Sequence, residues 1–88
     1  MKKKKLLFIL NPISGGKKKK ALESLIASHL DPQQFEFEIV KTEYPGHAAQ
    51  LTQKNKNDQN IIVAIGGDGT INEVAQELID TECCLGII

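Results

Sequence analysis

The chain has 88 residues, in which 11 basic residues, all of them lysine, balance 11 acidic residues. This balance gives no net attraction to nucleic acid, and no segment has the roughly 20 consecutive apolar residues of a membrane span. A chain this short buries only a modest core. We therefore expect either part of a larger protein or a chain completed by a partner, such as a second copy of itself.

Apolar periodicity predicts strands and helices that alternate along the chain. Strands are expected over residues 4–10, 35–42, 60–65 and 84–88, and helices over 17–29, 46–55 and 70–80. This order predicts an α/β fold, a three-layer domain in which four parallel strands are covered by three helices. Right-handed crossovers bring the loops after the strands to one edge of the sheet, where such folds bind ligands.

The most informative motif is the glycine-rich loop between the third strand and the third helix, Gly66-Gly67-Asp68-Gly69-Thr70. Its glycines allow main-chain N–H groups to approach a phosphate closely, and the helix that follows adds its positive end. The spacing matches neither a P-loop nor the dinucleotide-binding fingerprint. The loop therefore predicts a phosphate site of another type.

Asp68 places a carboxylate beside the expected phosphate, which a simple phosphate cradle does not require. It could orient hydrated Mg²⁺ on phosphate oxygens, or it could accept a proton from an attacking hydroxyl. The alternative is a turn residue or a helix N-cap. Thr70 and Asn72 could hydrogen-bond phosphate or ribose, and Glu73 could contact a ribose hydroxyl or offset the helix dipole.

Two other polar loops are expected at the same edge of the sheet. The first, residues 11–16, has short polar side chains and a glycine pair, and the second, residues 42–47, ends in Gly46-His47. The first could be an ordinary turn, but beside the glycine-rich loop an anion site is favoured there. His47 begins a helix, where the dipole disfavours a charged ring, so it is predicted to pack or to hydrogen-bond.

Two further features concern the membrane and the cellular compartment of the protein. Lysines at residues 2–5 and 17–20 are candidates for contact with anionic lipid, although such runs are usually solvated surface. Cys83 and Cys84 are adjacent, which suits neither a metal site nor a structural disulfide, so a reducing cytoplasm is expected.

With these residues in view, the chain resembles the N-terminal nucleotide-binding part of the diacylglycerol kinase catalytic domain family, which includes bacterial lipid kinases, sphingosine kinases and ceramide kinases. The resemblance rests on four motifs in order: residues 11–16, residues 42–48 with Gly46-His47-Ala48, the glycine-rich loop, and Asn72-Glu73-Val74.

The resemblance implies transfer of the γ-phosphate of ATP, with Mg²⁺, to a lipid hydroxyl such as that of diacylglycerol. Asp68 would be the catalytic residue near the transferred phosphate, and no protein metal ligand is assigned. The residues implied at the nucleotide site are Asn11, Pro12, Ser14, Gly15, Gly16, Thr42, Gly66, Gly67, Gly69, Thr70, Ile71, Asn72 and Glu73.

The resemblance also implies a second, β-rich domain beyond residue 88 that carries the lipid site. Residues 1–88 are therefore expected to be the ATP-binding part, with weak nucleotide binding and no lipid phosphorylation alone. The complete enzyme would be cytoplasmic and would visit the inner face of the membrane.

Two alternatives stay open. One is a phosphotransferase like NAD kinase, in which Asp68 would act on a ribose hydroxyl, although Asn11-Pro12 and residues 42–47 argue against it. The other is a nucleotide-binding or interaction module without catalysis.

Overall fold

The structure, a computed structural model, describes residues 3–12 and 19–87. Within these ranges four strands alternate with three helices, which confirms the predicted α/β order. The elements are β1 Lys4–Leu10, α1 Lys19–His29, β2 Phe35–Lys41, α2 His47–Asn55, β3 Ile61–Ile65, α3 Asp68–Glu77 and β4 Cys84–Ile87. The expected start of the first helix at Lys17 lies outside the described residues.

The sheet has the strand order β2-β1-β3-β4, and its three strand pairs are all parallel. From β1 the chain moves to β2 on one side, and from β3 it moves to β4 on the other. The winding direction therefore reverses between β1 and β3. In open α/β sheets the crevice at such a reversal, beyond the carboxyl ends of the strands, is the usual ligand site.

β1 is buried on both faces, as a continuous apolar run predicts for a central parallel strand. Its alternate side chains enter two cores, and α1 covers one while α2 and α3 cover the other. The first core contains Leu6, Phe8, Leu10, Leu22, Ile26, Ile39, Val63 and Ile65. The second contains Leu7, Ile9, Ala48, Ile62, Ala64, Val74, Leu78 and Cys83. The two cores therefore separate three layers, which are α1, the sheet, and α2 with α3, as predicted.

The third helix begins two residues earlier than the predicted start at Thr70, because Asp68 and Gly69 already belong to α3. Gly67 is its N-cap, with an extended backbone, and the acidic Asp68 lies in the first turn, where the helix dipole favours a negative charge. Not every apolar residue of the helical segments is buried. Leu25 of the first helix is 52% exposed, and Ile79, just beyond α3, is 67% exposed.

We expect Leu7→Ala to reduce the free energy of unfolding by about 2–5 kcal/mol, because Leu7 is only 1% exposed and its loss leaves a cavity under two helices. Leu25→Ala is the matched control, with an expected cost of less than about 1 kcal/mol. Urea unfolding followed by circular dichroism measures both. Equal losses in the two variants would contradict the core described above.

The two cysteines should differ in reactivity, because Cys83 is buried whereas Cys84 is exposed. Burial, with a smaller contribution from the neighbouring Cys84, raises the pKa of the Cys83 thiol, so less of the reactive thiolate is present at a given pH. At pH 8 iodoacetamide should alkylate Cys83→Ala, which retains Cys84, at least about tenfold faster than Cys84→Ser. In denaturant the two rates should converge, and mass spectrometry follows both reactions.

Candidate functional site

The strand register places the ends of three neighbouring strands side by side. Leu10, the last residue of β1, is paired with Lys41 of β2 and with Ile65 of β3. The next residue of each strand is therefore Asn11, Thr42 or Gly66. Each of these begins one of the three loops that were predicted to converge.

Asn11 connects β1 to the loop after β3. Its backbone N–H donates to the carbonyl oxygen of Ile65 at 2.9 Å, which extends the pairing of the strands by one residue. Its side-chain Nδ2 donates to Oγ1 of Thr70 at 3.2 Å. A polar side chain at the end of one strand is thus fixed to the first turn of α3.

Gly66 lies under this hydrogen bond and leaves room for it. A Cβ atom at this position would lie 3.0 Å from the Cβ of Asn11 and 3.0 Å from Oγ1 of Thr70. Real Cβ atoms essentially never approach closer than this, so only glycine fits without displacing a neighbour. Close packing is therefore a structural reason for glycine at position 66, separate from the nucleotide-binding role predicted from the sequence.

The first turn of α3 opens toward solvent. Its N-cap residue, Gly67, has no side chain to cap the helix, and its carbonyl oxygen accepts from the backbone N–H of Ile71 at 3.2 Å. The earlier N–H groups of this turn therefore receive no side-chain oxygen from the cap. Asp68 and Gly69 are exposed, whereas Thr70 is 6% exposed. This free, positive helix end suits an anionic ligand.

Thr42 lies on the other side of Asn11. Its backbone N–H donates to the carbonyl oxygen of Leu10 at 2.8 Å, and its hydroxyl lies 3.5 Å from the same oxygen. These contacts hold the start of the second loop against the end of β1.

The rest of the second loop is fixed by its own residues. The Glu43 backbone N–H donates to Nδ1 of His47 at 3.0 Å. The His47 ring stacks on Tyr44 with centroids 4.4 Å apart and planes 16° apart. Gly46 turns the chain into α2 with a φ of 89°, which favours glycine. The hydrogen-bonding role predicted for His47 agrees with these contacts.

Glu73 forms a contact that neither of its predicted roles included. Its Oε1 accepts a hydrogen bond from the backbone N–H of Ala49 at 3.3 Å, in the first turn of the neighbouring helix α2. The carboxylate thus neutralises the positive end of α2 and not that of its own helix. No local sequence signal could reveal this contact, because the two residues are 24 positions apart.

These loops enclose a cleft of about 370 Å³ beyond the ends of β1 and β2. This volume lies at the lower end of the range for small-molecule sites. The lining residues are Asn11, Pro12, Thr42, Glu43, Tyr44, Pro45, Ala48, Gly69, Thr70 and Glu73. Sequence reasoning had not assigned Glu43, Tyr44, Pro45 or Ala48 to the site, although their position in the second loop placed them near it.

The remaining predicted site residues lie around the cleft. Gly66 lies beneath the contact between Asn11 and Thr70, while Gly67, Asp68 and Asn72 are exposed nearby on α3 and its cap. Ile71 packs partly against the second core. Ser14, Gly15 and Gly16 lie outside the described residues.

The described residues contain no cluster of three or more histidine, cysteine or acidic side chains that could hold a metal ion. The charged residues that line the cleft within these ranges, Glu43 and Glu73, are both acidic. An anionic ligand would therefore need the α3 N-terminus or a cation that it brings with it.

Residues 5–88 match the sequence profile of the diacylglycerol kinase catalytic domain. The chain belongs to this family. The diacylglycerol kinase family also accounts for the order of the motifs, since the match includes the loops after β1, β2 and β3.

Named relatives of this chain are lipid kinases. It is 38% identical over 80 residues to "Sphingoid long-chain bases kinase 1" of Arabidopsis thaliana, which covers 85% of this chain and 10% of that protein. It is 42% identical over 72 residues to "Acylglycerol kinase, mitochondrial" of Homo sapiens, which covers 81% of this chain and 17% of that protein.

A solved structure shares the fold. A diacylglycerol kinase from Bacillus anthracis superposes with a TM-score of 0.73 and 28% identity, over 100% of this chain and 33% of that one. The chain thus spans a third or less of the length of these relatives. In its described part, no helix has the length and apolar character needed to cross a membrane.

We expect Gly66→Ala to displace Asn11 or Thr70 and to cost about 1–3 kcal/mol, because the added methyl group meets both at 3.0 Å. Gly69→Ala is the matched control, since a Cβ there meets nothing within 4 Å. In a helical turn this control should be neutral or stabilising by up to about 1 kcal/mol. Urea unfolding compares the variants, and a Gly66→Ala chain as stable as Gly69→Ala would refute the close packing.

Proposed function

We propose that this chain is the ATP-binding part of a lipid kinase that transfers the γ-phosphate of ATP to a lipid hydroxyl, such as that of diacylglycerol. The observation that carries the proposal is the junction of Asn11, Gly66 and Thr70. It lies where the sheet reverses its winding, beside the open N-terminus of α3. Membership of the diacylglycerol kinase family supplies the reaction class.

Phosphate groups would bind at the first turn of α3. There the N–H groups receive no side-chain cap from Gly67, and Gly69 presents no side chain to keep a ligand away. The Thr70 hydroxyl and the Asn11 amide, which are already joined by a hydrogen bond, would orient the phosphate chain. Such positioning is the main way in which proteins accelerate phosphoryl transfer.

The donor set fits a magnesium ion that the nucleotide brings. Mg²⁺ in kinase sites is commonly held by one or two carboxylates and by substrate phosphates, and it neutralises charge on those phosphates. Asp68, exposed in the first turn of α3, is the carboxylate that would meet the hydrated ion. We assign Asp68 this role and not that of general base, because Asp68 is not among the described residues that line the cleft.

The lipid acceptor would bind through a second, β-rich domain. The names of the relatives refer to sphingoid bases, acylglycerol and diacylglycerol, so phosphorylation of lipids is what they share. Residues 1–88 would supply the nucleotide to that reaction, at the surface of the membrane that contains the acceptor.

The proposal predicts that the 88-residue chain binds Mg·ADP at the cleft. In a titration followed by two-dimensional amide NMR, the resonances of Asn11, Thr42 and residues 66–70 should shift. Lys56 and Asn57 lie near the amino ends of β3 and β4, away from the cleft, so their resonances provide the internal control and should not shift.

Asp68→Asn tests the role of the carboxylate in the same titration. In EDTA we expect the variant to bind ADP with unchanged affinity. With Mg²⁺ it should lose most of the gain in ADP affinity that the original chain shows, because the neutral amide is a weaker ligand for a hard cation. An unchanged Mg²⁺ effect would reject the metal role. A spectrum that does not respond to nucleotide at all would reject the proposed function.

A further inference from the structure

The cleft has two chemically different ends. One end has the polar groups of Asn11 and Thr70 and the open helix terminus at Gly69. The other end has the ring of Tyr44, together with Pro45 and the small, apolar Ala48 at the start of α2. A ligand that fills this space needs a charged end and a flat or apolar end.

Tyr44 is held in place although it is largely accessible. His47 stacks on one face of its ring, with centroids 4.4 Å apart, and its hydroxyl donates to Oε1 of Gln50 at 2.6 Å. The side chain is nevertheless 47% exposed and lines the cleft. A fixed, exposed aromatic ring can stack on a planar ligand without a large loss of side-chain entropy.

Charge decides which end of a nucleotide lies near Tyr44. The N-terminus of α2 would otherwise attract a phosphate, but the Glu73 carboxylate already accepts from Ala49 there. Glu43, which precedes Tyr44 in the chain, adds a second carboxylate to the lining of the cleft. Glu73 thus already occupies the terminus of α2, whereas at the terminus of α3 the Mg²⁺ proposed for Asp68 would offset the charge of that carboxylate. Phosphate is therefore favoured at α3, and an uncharged group is favoured beside Tyr44.

We propose that Tyr44 is the platform on which the base of the bound nucleotide stacks, with the His47 ring behind it and the Gln50 amide fixing its hydroxyl. This inference rests on the proposed function, since it requires that the cleft bind a nucleotide. Stacking depends on the area of the π-face, so the platform selects purine over pyrimidine bases and discriminates weakly between adenine and guanine.

The chain offers a direct test, because Tyr44 is its one tyrosine and it has no tryptophan. Its intrinsic fluorescence therefore reports on this ring. Mg·ADP should quench the emission, after correction for absorption by the nucleotide. Magnesium tripolyphosphate, which has phosphates but no base, should bind in calorimetry and leave the emission nearly unchanged. CDP should bind more weakly than ADP.

Two variants separate the ring from its hydroxyl. Tyr44→Ala should weaken Mg·ADP binding by roughly 5- to 150-fold, the range expected for loss of one base stack, and should change tripolyphosphate binding less than about twofold. Tyr44→Phe keeps the ring and should retain ADP affinity within about threefold. Circular dichroism spectra that match the original chain establish that both variants fold.

Three results would overturn the proposal. If Tyr44→Ala weakens ADP and tripolyphosphate equally, the ring only supports the loop. If ADP binds the original chain without quenching its emission, and binds Tyr44→Ala with unchanged affinity, the base lies elsewhere and the proposed function stands. If neither ADP nor tripolyphosphate binds, the proposed function fails and this inference fails with it.

Discussion

The parallel register of β1 with both of its neighbours is the constraint on which the site depends. Because Leu10 pairs with Lys41 on one side and with Ile65 on the other, all three strands end at the same level. Polar loops that are far apart in sequence therefore begin side by side. The apolar side chains of β1, buried on both faces, hold that register, since a slip by one residue would exchange the two cores.

Close packing converts this alignment into a site. Gly66 allows Asn11 and Thr70 to approach each other, and the hydrogen bond between them fixes the first turn of α3 against the end of β1. The helix thus presents its N-terminus at the point where the sheet reverses its winding, which is where α/β proteins commonly bind ligands. The function proposed above would use the same loop, because its glycines allow the close packing and leave N–H groups accessible to a phosphate.

The cleft illustrates how one acidic residue can define the polarity of a binding site. Glu73 belongs to α3 but caps α2, so two adjacent helix N-termini do not compete for the same anion. The remaining open terminus and the fixed ring of Tyr44 then lie at different ends of one cavity. A nucleotide, which is charged at one end and planar at the other, matches this division.

The sequence by itself determined the alternation of strands and helices, the family and the glycine-rich loop, because hydrophobic period and glycine spacing are local properties of the chain. It also placed Asn11, Thr42 and Thr70 correctly at one edge, since parallel strands leave few alternatives. The start of α3 at Asp68 was missed, because an Asp-Gly pair suits a turn as well as a first helical turn. Only the tertiary structure decided that Glu73 caps a different helix, that Leu25 stays exposed and that Tyr44 faces the cleft. These outcomes depend on contacts between elements distant in sequence, or on how each helix lies against the sheet, and no local pattern encodes either.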